Sequence, residues 1–424
     1  MIFTKFNMKN PETTFHKILF IFIPFSIGYF LSYLYRSTNA VLAPYLNQDL
    51  GINAEQLGLI TSVYFLTFAL FQLPLGILLD KYGARKVQTI LFIIASIGAA
   101  TFALGNDVLQ LTIGRGLIGL GVSGALMGAF KAISVWFPKE RLSLLIAIYL
   151  GIGAMGAVTA STPLELALNV TSWRVIYIFL SVITMLVSLL IYFVVPEKKI
   201  SNKQIETDPI IKVLKEIYSS YAFWRICPIA SIVGGTSMSL QGLWAGPWLT
   251  DVGKFNQMET ANILFIFTIC MAIGIIAMGI ISDYVRKFKI SPIGVMGFFI
   301  FLLIIPLIII TSGTMPKAIW PWVMFSLTSF CGTLGYAGLS AHFPLDYAGR
   351  VSTAVNLITF LIAFISQYAI GSIMQYLEPG KTSGYSVESY QLSFGFFLIL
   401  IIFCYAIFIL MSLLEKKKTK DSIF

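Results

Sequence analysis

Three cations lie inside long apolar stretches of the sequence. Arg36 stands in "FLSYLYRSTNAVLAPYL", and Arg115 and Lys131 share a second apolar run. A charge at the centre of a bilayer costs roughly 2.5–3.5 kcal/mol, so ionisable residues at such positions are functional candidates. A guanidinium also makes forked contacts to carboxylate or phosphate. We therefore expect Arg36 and Lys131 to face an anionic substrate.

Acidic residues are scarce in the same stretches. No Asp or Glu falls in the middle of an apolar run, and Glu165 lies at the outer end of one. Two cations without an embedded carboxylate make a positive cavity, which a bound anion would neutralise. Arg115 and Lys131 are 16 residues apart, which places them roughly 160° apart around a helix. They cannot both face one cavity squarely.

The composition indicates a membrane protein. Of 424 residues, 57 % are hydrophobic and 11 % are charged, with a mean hydropathy of +0.86. Soluble domains contain about half apolar and about a quarter charged residues. The net charge of +10 therefore points to a membrane surface and not to a nucleic-acid partner.

Hydropathy predicts an all-α membrane protein with twelve spans. The first apolar run is too long for a signal peptide, so we expect it to remain as a span with the N-terminus in the cytoplasm. A polar segment, 196–219, is predicted to be a cytoplasmic linker between six-helix bundles at 1–195 and 220–424. The predicted spans are 18–46, 56–79, 87–105, 108–136, 143–166, 173–195, 225–250, 259–281, 291–311, 319–341, 350–377 and 390–414.

The distribution of basic residues supports this topology. With the N-terminus inside, 22 of the 29 Lys and Arg residues fall on the inner side and 4 on the outer side, and three are embedded. Positively charged loops remain on the cytoplasmic side of membranes. Both termini are therefore expected in the cytoplasm.

Short motifs recur at one spacing along the chain. "GILLD" at 76–80 returns as "GIISD" at 279–283, an offset of 203, and "APYL" returns as "GPWL" at the same offset. Pro138 in "WFPKER" and Pro344 in "HFPLDYAGR" are 206 residues apart. Such matches predict two parallel six-helix halves, which in one class of secondary transporter enclose a site near the midplane.

Several of these motifs resemble those of the major facilitator superfamily. "GILLDKYGARK" at 76–86 resembles its loop 2–3 signature, "GRGLIGLG" at 114–121 resembles its fourth-helix signature, and "GIGAMGAVTASTP" at 151–163 is similar to its fifth helix. The resemblance implies transport by alternating access, without enzyme activity or a cofactor. It also implies that helices one, four, seven and ten line the path of the substrate through the protein.

The loop 2–3 motif has a physical rationale of its own. Gly76 and Gly83 suit close helix approach and a tight turn, and Asp80 beside basic residues can form and release an ion pair as a gate moves. The resemblance implies that Arg115 braces the fourth helix against the first. The predicted gating and structural residues are Gly76, Asp80, Gly83, Arg85, Arg115, Asp283 and Arg286.

Polar and aromatic residues on the path-lining helices, with one from the eleventh, complete the predicted site. Tyr33 and Asn39 flank Arg36 at helical spacing. The alternative for each is a hydrogen bond to a neighbouring helix, since polar groups commonly serve that purpose in membranes. The predicted substrate-binding residues are Arg36, Lys131, Tyr33, Asn39, Gln241, Trp244, Tyr336 and Asn356.

A narrower resemblance concerns the first and fourth helices. "YLYRSTNAVLAPYL" at 33–46 and "FKAISVWFPKER" at 130–141 look like the organophosphate:phosphate antiporter (sugar-phosphate permease-like) branch, in which an Arg grips phosphate. That branch has a second Arg in the seventh helix, where the offset of 203 gives Ser239 here. A substrate with one carboxylate, or a zwitterion, is therefore at least as well suited as a phosphate ester.

Other classes of protein lack their residues here. The chain has only two His residues and isolated Cys residues, so we expect no metal site and no cofactor. The expected partners are a small-molecule substrate, membrane lipid, and a co-transported proton or exchanged anion, with the chain as a monomer in a bacterial inner membrane. Alternatives are an exporter of a siderophore or drug-like compound, a proton-coupled amino acid or dipeptide transporter, and a non-transporting nutrient sensor.

Overall fold

The computed structural model describes residues 14–196, 210–344 and 347–421. All regular structure within these ranges is helical. The first helices are α1 (Thr14–Lys17), α2 (Ile23–Ser37), α3 (Asn39–Leu50), α4 (Ala54–Leu104), α5 (Val108–Val122), α6 (Ala125–Trp136), α7 (Lys139–Thr159), α8 (Thr162–Leu168) and α9 (Trp173–Val194). The others are α10 (Ile210–Ser219), α11 (Tyr221–Ser239), α12 (Ala245–Asp251), α13 (Gln257–Val285), α14 (Pro292–Ser312), α15 (Trp320–Thr328), α16 (Thr333–Ser340), α17 (Ala348–Leu377) and α18 (Val387–Asp421). Two π-helical turns, Ile18–Phe22 and Leu240–Trp244, and a 3₁₀ turn, Arg286–Phe288, lie between them.

The helices confirm a multi-pass, all-helical membrane fold. Eleven helical stretches of the described chain are long and apolar enough to cross a bilayer. The tenth predicted span, 319–341, is divided into α15 and α16, of nine and eight residues. Each piece alone is shorter than the ~20 residues that a bilayer requires, so this span crosses only as an interrupted pair.

The chain forms two compact units. The first unit contains residues 1–45 and 63–204, and the second contains residues 46–62 and 205–424. Residues 46–62, which comprise the last residue of the first predicted span, the connection after it and the start of the second span, are here called the tip segment. The predicted division into bundles at 1–195 and 220–424 assigns the tip segment to the first bundle, whereas the structure groups it with the second unit.

In the first unit, α2 packs against α7 and α9. A Cβ placed on Gly156 of α7 would lie 2.1 Å from the carbonyl oxygen of Phe30 in α2, so only glycine permits this approach. The Tyr35 and Thr184 hydroxyls, 2.9 Å apart, link α2 to α9. Small residues allow membrane helices to pack backbone to backbone, which fixes α2, the helix that carries Arg36.

In the second unit, α11 packs along α17, and the tip segment also contacts α17. The hydroxyl of Tyr368 donates to Glu55 Oε1 at 3.0 Å, and the Ala54 amide donates to Tyr385 Oη at 3.1 Å. A Cβ on Gly371 would lie 2.3 Å from the Ala54 carbonyl oxygen. The tip segment therefore has both polar and close backbone contacts within this unit.

The internal repeat extends to irregularities of the backbone. The break between α5 and α6 begins at Ser123 and that between α15 and α16 at Ser329, 206 residues later; both serines have φ −58° and ψ −30°. The π turn after α11 begins at Leu240, 203 residues after Ser37, the last residue of α2. Irregular helical turns often mark functional positions. The four helices predicted to line the path are thus interrupted at equivalent places.

The structure describes only part of the predicted linker, because residues 197–209 lie outside the described ranges. Its second part forms α10, with Val213 and Ile217 fully buried and Lys215 and Glu216 exposed. An i, i+4 apolar stripe opposite charged residues is the pattern of a surface helix.

Candidate functional site

Arg36 lies in the last turn of α2, immediately before the chain passes into α3. Its guanidinium carbon is 4.4 Å from the centroid of the Tyr33 ring. The Nη2 atom is buried and has no hydrogen-bond partner in the described part of the chain, and no described carboxylate lies within 4.0 Å. Arg36 therefore carries a partly buried, uncompensated charge with an unused hydrogen-bonding edge.

An aromatic column holds the Tyr33 ring beneath this charge. Tyr29 meets Tyr33 edge to face at 5.0 Å, and Tyr29 stacks on Tyr149 of α7 at 4.5 Å. The Tyr149 hydroxyl donates to the Ala125 carbonyl at 2.6 Å. A cation over an aromatic face gains about 0.5–2 kcal/mol, so the column fixes Arg36 in place without neutralising it.

Asn39, the other predicted neighbour of Arg36, begins α3 and is fully buried. The structure therefore places Asn39 in the packing of the first unit, three residues beyond the guanidinium.

Lys131 differs from its prediction. Its ammonium forms an ion pair with Asp80 at 2.7 Å, with side chains 31 % and 75 % exposed, respectively. We expected Lys131 to face an anionic substrate, whereas in this structure its ammonium pairs with a carboxylate of the chain itself. Asp80 lies outside the centre of a span and 51 residues away in sequence, so the pairing depends on how α4 and α6 pack.

The loop 2–3 motif combines one expected and one unexpected feature. Gly83 interrupts α4 with φ +79° and ψ 159°, a backbone conformation that favours glycine. A Cβ on Gly76 would meet no atom of the described residues within 4 Å, so no close helix approach is made at Gly76 within the described part of the chain. Arg85 lies 5.2 Å from the Tyr192 ring centroid.

The equivalent motif in the second unit ends in an exposed turn. Asp283 and Arg286 are both exposed, and Asp283 forms no ion pair with another described residue. The helix α13 ends just after Asp283, and Lys289 has a left-handed conformation with φ +60°. The two halves of the repeat therefore differ in their ion pairing at this motif.

Arg115 is fully buried in α5. Its Nη1 donates to the Tyr35 carbonyl at 2.9 Å and to the Tyr177 hydroxyl at 3.3 Å. Tyr35 belongs to α2 and Tyr177 to α9. Through Nη1 this guanidinium therefore links three helices of the first unit, while its buried Nε and Nη2 have no hydrogen-bond partner among the described residues.

The second unit contributes the remaining predicted residues. Gln241 lies in the π turn, and its buried Nε2 has no hydrogen-bond partner among the described residues. Trp244 is 1 % exposed, and its indole donates to the Gln367 carbonyl at 3.1 Å. The Tyr336 hydroxyl lies 3.3 Å from Thr359 Oγ1, and Asn356 is half-buried. Gln241 thus has an unused donor, whereas Trp244 takes part in internal packing.

A compact loop joins α17 and α18 in the same unit. Glu378 accepts hydrogen bonds from the Ser386 amide at 2.7 Å and the Ser389 hydroxyl at 2.5 Å, and it pairs with Lys381. Burial raises the pKa of Glu378, but the hydrogen bonds from Lys381, Ser389 and Ser386 outweigh it and hold this pKa at about 2. The carboxylate is therefore the charged centre of the loop.

The contact between Tyr45 and Glu165 was not predicted from the sequence, which places Glu165 only at the outer end of a span. Glu165 is 2 % exposed, and its Oε1 accepts a hydrogen bond from the Tyr45 hydroxyl at 2.8 Å. A sequence separation of 120 residues leaves no local sequence signal for this pair.

Comparison with known proteins places this geometry in a family. The sequence model of the Major Facilitator Superfamily, a protein family, matches residues 25–367 of this chain. A hexuronate transporter of Bacillus subtilis (strain 168) is 25 % identical over 276 residues, covering 64 % of each chain. A putative tartrate transporter of Agrobacterium vitis is 24 % identical, covering 62 % of this chain and 63 % of the relative. A probable sulfoacetate transporter of Cupriavidus necator is 23 % identical, covering 66 % and 67 %. The chain thus matches about two thirds of the length of these relatives.

Solved structures share the fold. A bacterial homologue of the human lysosomal transporter Spinster, in an inward-facing and unoccupied conformation, aligns with a TM-score of 0.77 at 17 % identity, covering 95 % of this chain and 98 % of that one. The nucleoside transporter NupG aligns with a TM-score of 0.72 at 14 % identity, covering 91 % and 98 %. At these identities the likeness establishes the fold alone.

Proposed function

Because the chain belongs to the major facilitator superfamily, we propose that it is a secondary transporter that moves a small organic anion by alternating access. It is a transporter and not an enzyme. The observation that carries the proposal is the buried, unpartnered Nη2 of Arg36, a cation with no described carboxylate within 4.0 Å. A bound anion would use that edge and would offset the cost of a charge inside the membrane.

The names of the relatives agree with an anionic substrate. Hexuronate, tartrate and sulfoacetate are different molecules, but each carries at least one carboxylate. A guanidinium binds a carboxylate through two parallel hydrogen bonds. We carry over this shared group to the present chain, and not any one of the three compounds.

In this proposal Arg36 binds the carboxylate and Tyr33 orients the guanidinium. Gln241, with its unused Nε2 donor, serves a hydroxyl or carbonyl of the substrate. Tyr336 and Asn356 are proposed as further polar contacts. Asn39 and Trp244 are buried and Lys131 is paired with Asp80 in this structure, so their access to substrate would require another conformation of the cycle.

A phosphate ester is the second candidate within transport, since the first and fourth helices resemble the organophosphate antiporter branch. A doubly charged phosphate favours two cations, and the position equivalent to Arg36 is Ser239, a fully buried hydroxyl residue. Without a cation at position 239, the pair that a phosphate would favour is incomplete, and a single carboxylate is the better match for Arg36. The relatives named above also carry the names of carboxylic acids rather than of phosphate esters.

The cellular setting follows from the same reasoning. We propose that the chain is a monomer in a bacterial cytoplasmic membrane, with both termini in the cytoplasm. The substrate would move together with a proton or in exchange for another anion.

The direct test is uptake into proteoliposomes from a panel of hexuronates, tartrate, sulfoacetate, sugar phosphates, amino acids and dipeptides. We expect one or more carboxylic acids to enter, and Arg36→Ala to reduce their uptake at least ten-fold, since a charge-assisted hydrogen bond contributes about 1.5–3 kcal/mol. Arg36→Lys should restore only part of the rate, because ammonium lacks the forked geometry. Lys317→Ala removes an exposed loop cation and serves as the matched control.

The same panel separates the rival functions. Wild-type uptake of an anion by Arg36→Ala would contradict the site, and preference for a bulky apolar compound would indicate a siderophore or drug exporter. Uptake confined to amino acids or dipeptides would support the proton-coupled alternative. A nutrient sensor would bind ligand without any flux.

A further inference from the structure

Glu165 is a buried acid that the proposed binding site does not use. It lies in the short helix α8, which the break at Ala160 and Ser161 separates from α7. Its side chain is 2 % exposed. The hydroxyl of Tyr45, in α3, donates to its Oε1 at 2.8 Å. Both residues belong to the first unit.

No described cation lies within 4.0 Å of the Glu165 carboxyl group. The nearest basic residue on α9 in sequence is Arg174, whose guanidinium donates to the carbonyls of Ala103 at 3.0 Å and Gly105 at 2.6 Å. Those two contacts occupy Arg174 within the packing between α4 and α9.

Other titratable groups on the packed elements are more distant along the chain. The charged residues of α7 cluster at its start, 24 or more residues before Glu165, which is about 36 Å along a helix. The titratable residues on the elements packed against α8 are Lys139, Glu140, Arg141 and Tyr149 on α7, Arg174, Tyr177 and Tyr192 on α9, and Tyr45 and Asp49 on α3.

The number of hydrogen bonds that the Glu165 carboxyl group accepts bears on whether it is ionised or protonated. An ionised carboxylate can accept about four hydrogen bonds, and Glu165 accepts one from the described side chains. Burying a carboxylate that is neither paired nor fully hydrogen-bonded is expensive, and uptake of a proton removes the charge. The site therefore suits a group that gains and loses a proton.

The position also suits coupling to the substrate. Tyr45 follows Arg36 by nine residues, across the interruption at Thr38 between α2 and α3, roughly 13 Å along a helical path. A movement of these consecutive helices would change both the surroundings of Arg36 and the hydrogen bond to Glu165. The segment formed by α2 and α3 therefore connects the anion-binding cation with the buried acid.

We propose that Glu165, hydrogen-bonded to Tyr45, is the proton-binding site of this transporter and couples entry of one organic anion to entry of one proton. This inference rests on the proposed function. The Glu165 carboxylate takes a proton from water on the outer side. The Glu165 side chain remains protonated while the substrate-loaded transporter changes from outward to inward access. The proton is released to the cytoplasm, and the carboxylate is regenerated.

The test compares Glu165→Gln with wild type in proteoliposomes, with D-glucuronate and tartrate as probes. For a symporter of one proton, an inward gradient of about one pH unit raises the equilibrium accumulation ratio of the substrate about ten-fold. We expect this gradient to accelerate wild-type uptake several-fold and to leave Glu165→Gln unchanged. Counterflow exchange without a gradient should persist in Glu165→Gln within about two-fold, because the amide keeps the hydrogen bond to Tyr45.

Two further variants keep the test decisive. Glu259→Gln alters an exposed acid that caps α13 and should retain the acceleration. Tyr45→Phe removes the donor that favours the carboxylate, so the midpoint of proton-dependent uptake should move to higher pH. That shift can be measured even if Glu165→Gln does not fold.

The outcomes distinguish the two proposals. Acceleration of Glu165→Gln equal to that of wild type would overturn the proton site. Uptake by wild type that ignores the gradient would also overturn the proton site, while the proposed function would stand. Absence of uptake and of binding for every acid would overturn both.

Discussion

Asp80 and Lys131 form an ion pair of 2.7 Å across the first unit, between residues that are 51 positions apart in sequence. Both side chains reach solvent, so the pair stabilises the fold by about 1 kcal/mol at most. A contact this weak can form and break at little energetic cost. That property suits the gating role proposed for Asp80.

A double-mutant cycle tests this role. We expect Asp80→Asn and Lys131→Met each to lower the rate of uptake several-fold, with unfolding temperatures close to that of wild type. The double variant should be no slower than the slower single variant, since both changes remove one interaction. Strictly additive losses would show that Asp80 and Lys131 act independently.

Arg115→Leu is expected to destabilise the first unit. The change removes the donors to the Tyr35 carbonyl and the Tyr177 hydroxyl; a hydrogen bond to a charged group contributes about 1.5–3 kcal/mol. The unfolding temperature in detergent should fall by several degrees, and Arg115→Lys should recover part of the loss. An unchanged unfolding temperature in Arg115→Leu would contradict the bracing role.

The overall fold could be predicted from the sequence. Runs of about 20 apolar residues have few alternatives to spanning helices in a bilayer, and the motif offsets of 203 and 206 residues by themselves indicate two halves. The interruption at Ser329 was not predicted, because hydropathy averages over a window and is insensitive to a break of four residues.

The candidate site was less accessible to sequence reasoning. Arg36 was identified because charge in an apolar run is conspicuous by itself. The partners of Lys131 and Glu165 lie 51 and 120 residues away, and such contacts depend on helix rotation and packing that local patterns do not encode. The open space beside Gly76 could not be predicted either, since the sequence does not show which residues surround a glycine.

Gly371→Val should disturb the contact between α17 and the tip segment. A Cβ at Gly371 would lie 2.3 Å from the Ala54 carbonyl oxygen, whereas one at Gly151 would meet none of the described atoms within 4 Å. Overpacking typically costs about 1–3 kcal/mol. We expect Gly371→Val to unfold at a lower temperature than wild type and Gly151→Val to resemble wild type. Equal effects in both variants would attribute the loss to helix propensity alone.

The loop around Glu378 should make stability depend on acid pH. Its pKa of about 2 lies below the ordinary 4.5, so its contribution is complete above the ordinary value and is lost as pH falls toward 2. We expect the unfolding temperature of wild type to decrease more than that of Glu378→Gln over this range. Glu388→Gln, a change of an exposed acid in α18, should follow wild type. Parallel pH curves for wild type and Glu378→Gln would contradict the assignment.

The tip segment is continuous at both ends with helices of the first unit but packs within the second. For the proposed transport cycle, we predict that the contact between residues 46–62 and α17 opens and closes. An antibody fragment or cyclic peptide that clamps residues 46–62 onto α17 would therefore arrest turnover without competing for the cargo. Its inhibition would be non-competitive, because residues 46–62 are not among those proposed to bind the anion.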